Sequence, residues 1–133
     1  MAYATYDDLL TAFSETEMLL VSDRNNYGVP DDTVINEALS FADEMIDGYL
    51  RERYSLPLSN IPRNLVGIAC DIARYRLYQN QPTELVSMRY EAALLWLKDI
   101  ARGLFSLDVT GISSTPSPVS YSTPTAIFTD LVW

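Results

Sequence analysis

Carboxylates at helical spacing are the first chemically suggestive feature of this chain. Asp43 and Asp47 stand four residues apart, with Glu44 between them, so on a helix the two aspartates share a face, as a paired general acid and base would. The stronger reading is that this face is the solvated side of an amphipathic helix, or one that meets basic side chains. Asp71 and Arg74 differ, because they interrupt an apolar run where a charge is costly unless paired. They are expected to form structural ion pairs, with each other or across a helical bundle with Asp47, Arg51 or Arg53, fixing register without catalysis.

Other chemistry is excluded or weak. The chain has no histidine, which removes Ser-His-Asp and Cys-His nucleophile arrangements and His-ligated zinc. Its five glycines are scattered and form no phosphate loop. In "DRNNYGVPDDTV", Asp23, Asn25 and Gly28 match the first, third and sixth positions of a calcium loop, but Tyr27 takes the fifth and Val34 stands where the bidentate Glu belongs. An ordinary polar loop is expected, with Asp32 capping the next helix. Cys70 is the one cysteine, set among Ile68, Ala69 and Ile72, and is expected to be a small buried residue. No catalytic, cofactor-binding or metal-ligating residue is predicted, and no enzyme activity.

The elements that carry these residues read as helices. At 133 residues, 48% apolar and 20% charged, the chain is long enough for one domain with a core plus an appendage. Thr5 with Asp8 and Ser14 with Glu17 resemble capping boxes of two short helices broken near Ser14. Ile35, Ala38, Leu39, Ala42, Met45, Ile46, Tyr49 and Leu50 mark one face of a long amphipathic helix, preceded by the cap candidates Asp31 and Asp32. It stops at "YSLPLSNIP", where Pro62 suits the first position of a helix running to about Gln79. That helix is the most apolar and belongs at the centre of a bundle. A last helix, about Thr83 to Arg102, places Leu85, Met88, Ala92, Leu95, Trp96 and Ile100 on one face, expected to be its core face, and stops at Gly103. Short connections make the helices antiparallel neighbours. The expected fold is all-α, with a helical bundle over 1–103 and an extended arm over 104–133.

The arm has its own grammar. After Gly103 only Asp108 and Asp130 are charged, and Ser, Thr and Pro crowd the middle. The polar stretch then leads to Ile127, Phe128, Leu131, Val132 and Trp133. "LFSLDVTGI" and "TAIFTDLVW" are each able to form a short strand when another subunit offers a sheet edge. Folding back onto the bundle is the alternative. Docking on a partner is preferred, because isolated strands cannot satisfy their backbone polar groups without an outside edge.

Charge and hydropathy bound the setting. Eighteen acidic residues against nine basic give a net charge of −9, which disfavours binding to phosphate backbones. "MAYATYDDLL" lacks a basic n-region, and no apolar run reaches the roughly 20 residues of a membrane span. Synthesis in the cytoplasm of the producing cell, without membrane association, is expected.

Several ordered segments carry a family resemblance: "MAYATYDDLLTAF", "LVSDRNNYGVPDDTVINEAL", "ADEMIDGYLRERYSLPL", "ACDIARYRLY" and "RYEAALLWLKDIARG". Together they resemble a family of Mu-like phages and prophages whose members look like head-to-tail adaptors, or connectors. The resemblance covers about Met1 to Gly103. It implies a virion protein of the neck with no active site and no cofactor. Neighbouring copies would form a ring, commonly of about twelve, beneath a portal protein, and would meet the next neck or tail protein. DNA would pass through the channel without specific binding. Asp43, Glu44 and Asp47 are candidates to face that lumen, where like charge suppresses adsorption. Ile127, Phe128, Asp130, Leu131, Val132 and Trp133 are candidates for the docking tip of the arm, similar to the aromatic and acidic tails of the family. Two other readings are a different neck connector, such as a stopper or tail-completion protein, and an acidic DNA mimic. The mimic is disfavoured by interspersed Lys and Arg and by the nearly uncharged tail.

Overall fold

The computed structural model describes residues 2–79, 81–104 and 106–107. Among the described residues the chain forms helices and no strand: α1 (Tyr6–Ala12), α2 (Glu15–Ser22), α3 (Asp32–Leu50), α4 (Arg63–Leu77) and α5 (Glu84–Ala101). The predicted arm, its strands and the tip residues Ile127, Phe128, Asp130, Leu131, Val132 and Trp133 lie outside the described residues.

Side chains that satisfy the first free N–H groups set most of the helix starts. The Asp8 N–H donates to Thr5 Oγ1 at 3.2 Å while the Asp8 carboxylate accepts from the Thr5 N–H at 2.9 Å, a complete capping box. Ser14 accepts from the Glu17 N–H at 3.0 Å, and α2 begins where the sequence breaks. Thr83 caps α5 through the Val86 N–H at 3.2 Å. Of the two cap candidates before α3, Asp31 is the cap: its extended backbone turns the carboxylate onto the Thr33 N–H, so Asp32 is already helical. One boundary differs from expectation by one residue. Pro62 is the N-cap of α4 and not its first residue, because its ψ of 150° is still extended and the helix begins at Arg63.

Helix α4 lies at the centre, as its composition predicts, packing against α1, α3 and α5. Leu65, Ile68, Ala69, Cys70, Ile72, Ala73 and Leu77 are all buried on it. Each large aliphatic side chain so buried contributes about 1.5–3 kcal/mol. The neighbours run antiparallel. Arg76, near the end of α4, meets Glu37, near the start of α3, at 3.6 Å. Tyr75 of α4 stacks on Tyr90 of α5 with ring centroids 3.9 Å apart.

Helix α5 corrects the sequence reading. Of the residues expected on its core face, only Ile100 is buried; Leu85, Met88, Ala92, Leu95 and Trp96 point outward. The core face is instead Val86, Ala93, Leu97 and Ile100. Both sets obey three-to-four spacing, so periodicity does not choose between them. The Tyr75–Tyr90 stack goes with the rotation that turns the smaller set inward.

The end of α5 is closed at Gly103, whose φ of +82° suits the left-handed position after a helix. A Cβ there would come 2.8 Å from the Arg53 guanidinium carbon. Beyond it Leu107 is buried, and its N–H donates to the Tyr54 hydroxyl at 2.9 Å. The bundle therefore keeps hold of the chain past Gly103.

Candidate functional site

The carboxylates of α3 are used inside the subunit. Asp43 accepts from the Tyr3 N–H at 3.0 Å, and Asp47 accepts from the Tyr3 hydroxyl. Both are half-buried, while Glu44 between them is exposed. Burial pushes the Asp43 carboxyl up, the Tyr3 N–H draws it back, and the Asp47 and Glu44 charges push it up again. Burial, followed by the bond to Asp47, pushes the Tyr3 phenol far up, so it remains a neutral donor. The pair thus fastens the N-terminal segment to α3, a partner that helical spacing alone did not suggest.

Asp71 and Arg74 likewise find partners other than those expected. Arg74 Nε donates to Glu17 of α2 at 2.8 Å, and its Nη2 reaches the second oxygen at 3.2 Å. The Tyr78 hydroxyl donates to the same carboxylate, and the Arg74 guanidinium lies over the Phe13 ring, 4.2 Å from its centroid. Burial raises the Glu17 carboxyl, but the hydrogen bonds from Arg74 and Tyr78 outweigh it and leave the group below its usual range. Asp71 faces Arg89 of α5 at 3.5 Å. Burial pushes Asp71 up, and the Arg89 and Arg74 charges only partly offset that. These charges join α2 to α4 and α4 to α5, and the sequence carries no short-range signal for Glu17 or Arg89 as their partners.

The former calcium-loop candidate closes on itself. The two Asp23 carboxylate oxygens accept from the Tyr27 N–H at 2.9 Å and the Gly28 N–H at 2.7 Å. Among the described residues, no group of three or more His, Cys, Asp or Glu side chains is placed to hold a metal ion. Cys70 is buried, and burial pushes its thiol up to about 12. No helix among the described residues is long and apolar enough to cross a membrane.

What the surface offers is two apolar patches. On α5, Leu85, Met88 and Leu95 are 53%, 58% and 58% exposed and share one face. Trp96, on the same side, rims a groove of about 360 Å³ between α4 and α5, which Arg89 also lines. On the other half, Leu20 of α2 and Tyr27 and Val29 of the following loop are exposed. Glu15, Leu19, Gly28 and Pro30 line a shallow hollow beside them. Burial, and then the charges of Glu15, Asp32 and Asp7, raise the Tyr6 phenol.

These features define a small helical bundle whose half-buried polar groups hold its own elements together and whose surface carries exposed apolar residues. The family model described as Bacteriophage Mu, Gp36 matches residues 3–122. Gene product J of Escherichia phage Mu is 36% identical over 104 residues, 77% of this chain and 74% of that protein. The Mu-like prophage FluMu protein gp36 of Haemophilus influenzae is 38% identical over 85 residues, 64% of this chain and 60% of that protein. The chain belongs to the phage Mu Gp36 family.

Proposed function

We propose that this chain is a head-to-tail adaptor, a structural virion protein that forms a ring beneath the portal and continues the DNA channel toward the tail. The observation that carries the reading is the apolar face of α5. A bundle of this size gains by burying Leu85, Met88 and Leu95, yet leaves them more than half exposed, as a protein does when another chain completes its packing. Its role is mechanical and not catalytic, and its working place is the virion neck.

The lumen assignment narrows under this proposal. Asp43 and Asp47 are tied to Tyr3, and Glu37 is paired with Arg76, so Glu44, with the exposed Asp7, Glu15 and Asp32, supplies most of the free negative surface of α1–α3. Residues 108–133, outside the described structure, serve as the arm that grips the portal or a neighbour, with Phe128 and Trp133 as its anchors.

Native mass spectrometry of the chain mixed with the portal of the same virus tests the proposal. The comparison is full length against a chain ending at Leu107, which keeps the Tyr54 contact. A fixed ring number on the portal for the full chain, lost on truncation, is the expected result. Failure of both forms to bind would overturn the portal reading and favour a stopper or tail-completion protein lower in the neck.

A further inference from the structure

A hollow of about 370 Å³ opens between the first half of α3 and the end of α4, at the lower end of the roughly 300–1,000 Å³ of ligand pockets. Phe41 and Tyr75 supply its aromatic walls, and Arg24, Arg76 and Glu37 its charges. Two guanidinium groups against one carboxylate make the lining cationic in a chain of net charge −9, and Arg24 is the one basic residue up to Leu50. Arg24 Nε donates to the Val21 carbonyl at 3.2 Å and Nη2 to the Leu77 carbonyl at 3.1 Å. Both partners are neutral, and among the described residues Arg24 meets no carboxylate; Asp23, beside it in the chain, accepts from the Tyr27 and Gly28 N–H groups of its own loop. The guanidinium has further N–H donors, so Arg24 keeps both charge and donors to offer. Arg76 lies over the Phe41 ring, 4.8 Å from its centroid, and reaches Glu37 at 3.6 Å. That ion pair is exposed on both sides, 47% for Arg76 and 68% for Glu37, and holds Arg76 weakly. The hollow thus suits a ligand that carries an aromatic ring and a carboxylate close together.

We infer that this hollow receives residues 126–133 of an adjacent copy, with Asp130 on Arg24 and Arg76 and with Phe128 against Phe41 and Tyr75. The inference rests on the ring reading and names where the arm grips. Complementary chemistry selects the occupant. Beyond Gly103 the chain holds no Lys or Arg, and "AIFTDLVW" sets Asp130 two residues from Phe128 and three from Trp133, which pairs a carboxylate with the guanidinium groups and a ring with the aromatic walls. Length selects the copy. The chain leaves the bundle where the Leu107 N–H meets Tyr54, just past the end of α3, whereas the hollow lies toward the start of α3. Helix α3, with 19 residues, is about 28 Å long. The 18 residues of 108–125, rich in Ser, Thr and Pro, reach about 55 Å when extended. Folding back along its own bundle needs about half of that reach, and the rest carries the segment to the hollow of a neighbour. Each subunit then gives one arm and receives one, a head-to-tail contact whose repeat closes into a ring when the rotation allows.

Two variants of the full chain test it, Gln79→Cys in the lining of the hollow and Thr129→Cys in the arm, with a short bismaleimide as cross-linker; buried Cys70 stays unreactive. Mixed with the portal or at high concentration alone, the pair is expected to give a covalent dimer containing one of each variant. Each variant by itself gives none, and the doubly substituted chain gives a ladder of multimers. Adding Arg76→Glu to the Gln79→Cys chain is expected to cut the dimer by at least about tenfold, because like charges then face each other, with an unchanged helical circular dichroism spectrum. Adding Asp130→Arg to the Thr129→Cys chain restores the dimer, a rescue across two chains that a role of Arg76 in its own fold would not give; its failure would overturn the inference. A double variant that links only within itself would show the arm folding back and would also overturn it. Rings of the unsubstituted chain in native mass spectrometry, with no cross-link in the mixture, would do the same while leaving the adaptor reading intact. A chain that stays monomeric with and without the portal would remove both.

Discussion

Helices α4 and α5 are similar in apolar content and opposite in how they use it. Helix α4 buries Leu65, Ile68, Ile72 and Leu77, and its charged Asp71 and Arg74 reach partners on other helices. Helix α5 buries Val86, Ala93, Leu97 and Ile100 and turns Leu85, Met88 and Leu95 to solvent. One helix spends its apolar surface on the subunit's own fold, while the other divides it between the fold and the outside. An apolar residue at helical spacing therefore indicates contact, but not contact within the same chain.

The largest effects test the inward side of that contrast. Leu97→Ala, at a fully buried position of α5, is expected to cost about 2–5 kcal/mol by urea denaturation. A cost near zero would mean that α5 is not held by this face. Next comes the charge that α4 carries inward. Arg74→Ala strands Glu17, whose side chain is 22% exposed, and is expected to cost roughly 2–3 kcal/mol at neutral pH.

The same pair has a pH signature. The Glu17 carboxyl is lowered from 4.5 in the fold, so its stabilisation is complete above that value and is lost as pH falls through the lower folded value. Glu17→Gln should therefore be less stable than the natural chain at pH 7 and should approach it as the solution is acidified below about 4.5. A difference that stays constant with pH would sink the assignment. Asp43 and Asp71 are shifted upward and act in the opposite sense, gaining stability as they protonate, so only the difference between the two chains isolates Glu17.

Gly103→Ala is smaller, about 1–2 kcal/mol, because it forces a left-handed backbone on a residue with a Cβ and presses on Arg53. Thermal unfolding reads it directly. The smallest expected effect completes the comparison: Leu95→Ser should change stability by no more than about 0.5 kcal/mol. A loss as large as that of Leu97→Ala would return Leu95 to the core and remove the proposed docking face.

Much of the architecture was legible because its signals are local. Thr5, Ser14 and Thr83 cap their helices through N–H groups only three positions away, and the αL position at Gly103 needs nothing beyond its own backbone. The central place of α4 was expected from its long apolar run and short polar face, although α5 is as apolar and lies to one side. The candidate site was less legible. Asp43 and Asp47 stood out as a pair, but their partner Tyr3 lies some forty residues earlier, and nothing in helical spacing encodes that distance.

By itself the sequence determined which segments are helical, where most of them start and stop, and that the helices form a bundle. Only the tertiary structure decided which side of α5 faces inward, that Glu17 and Arg89 take the charges of α4, and that the α3 carboxylates hold Tyr3. The physical reason is range. Capping and periodicity act within one or two turns, whereas the rotation of a helix and the pairing of its charges depend on the shapes and groups that distant elements bring against it.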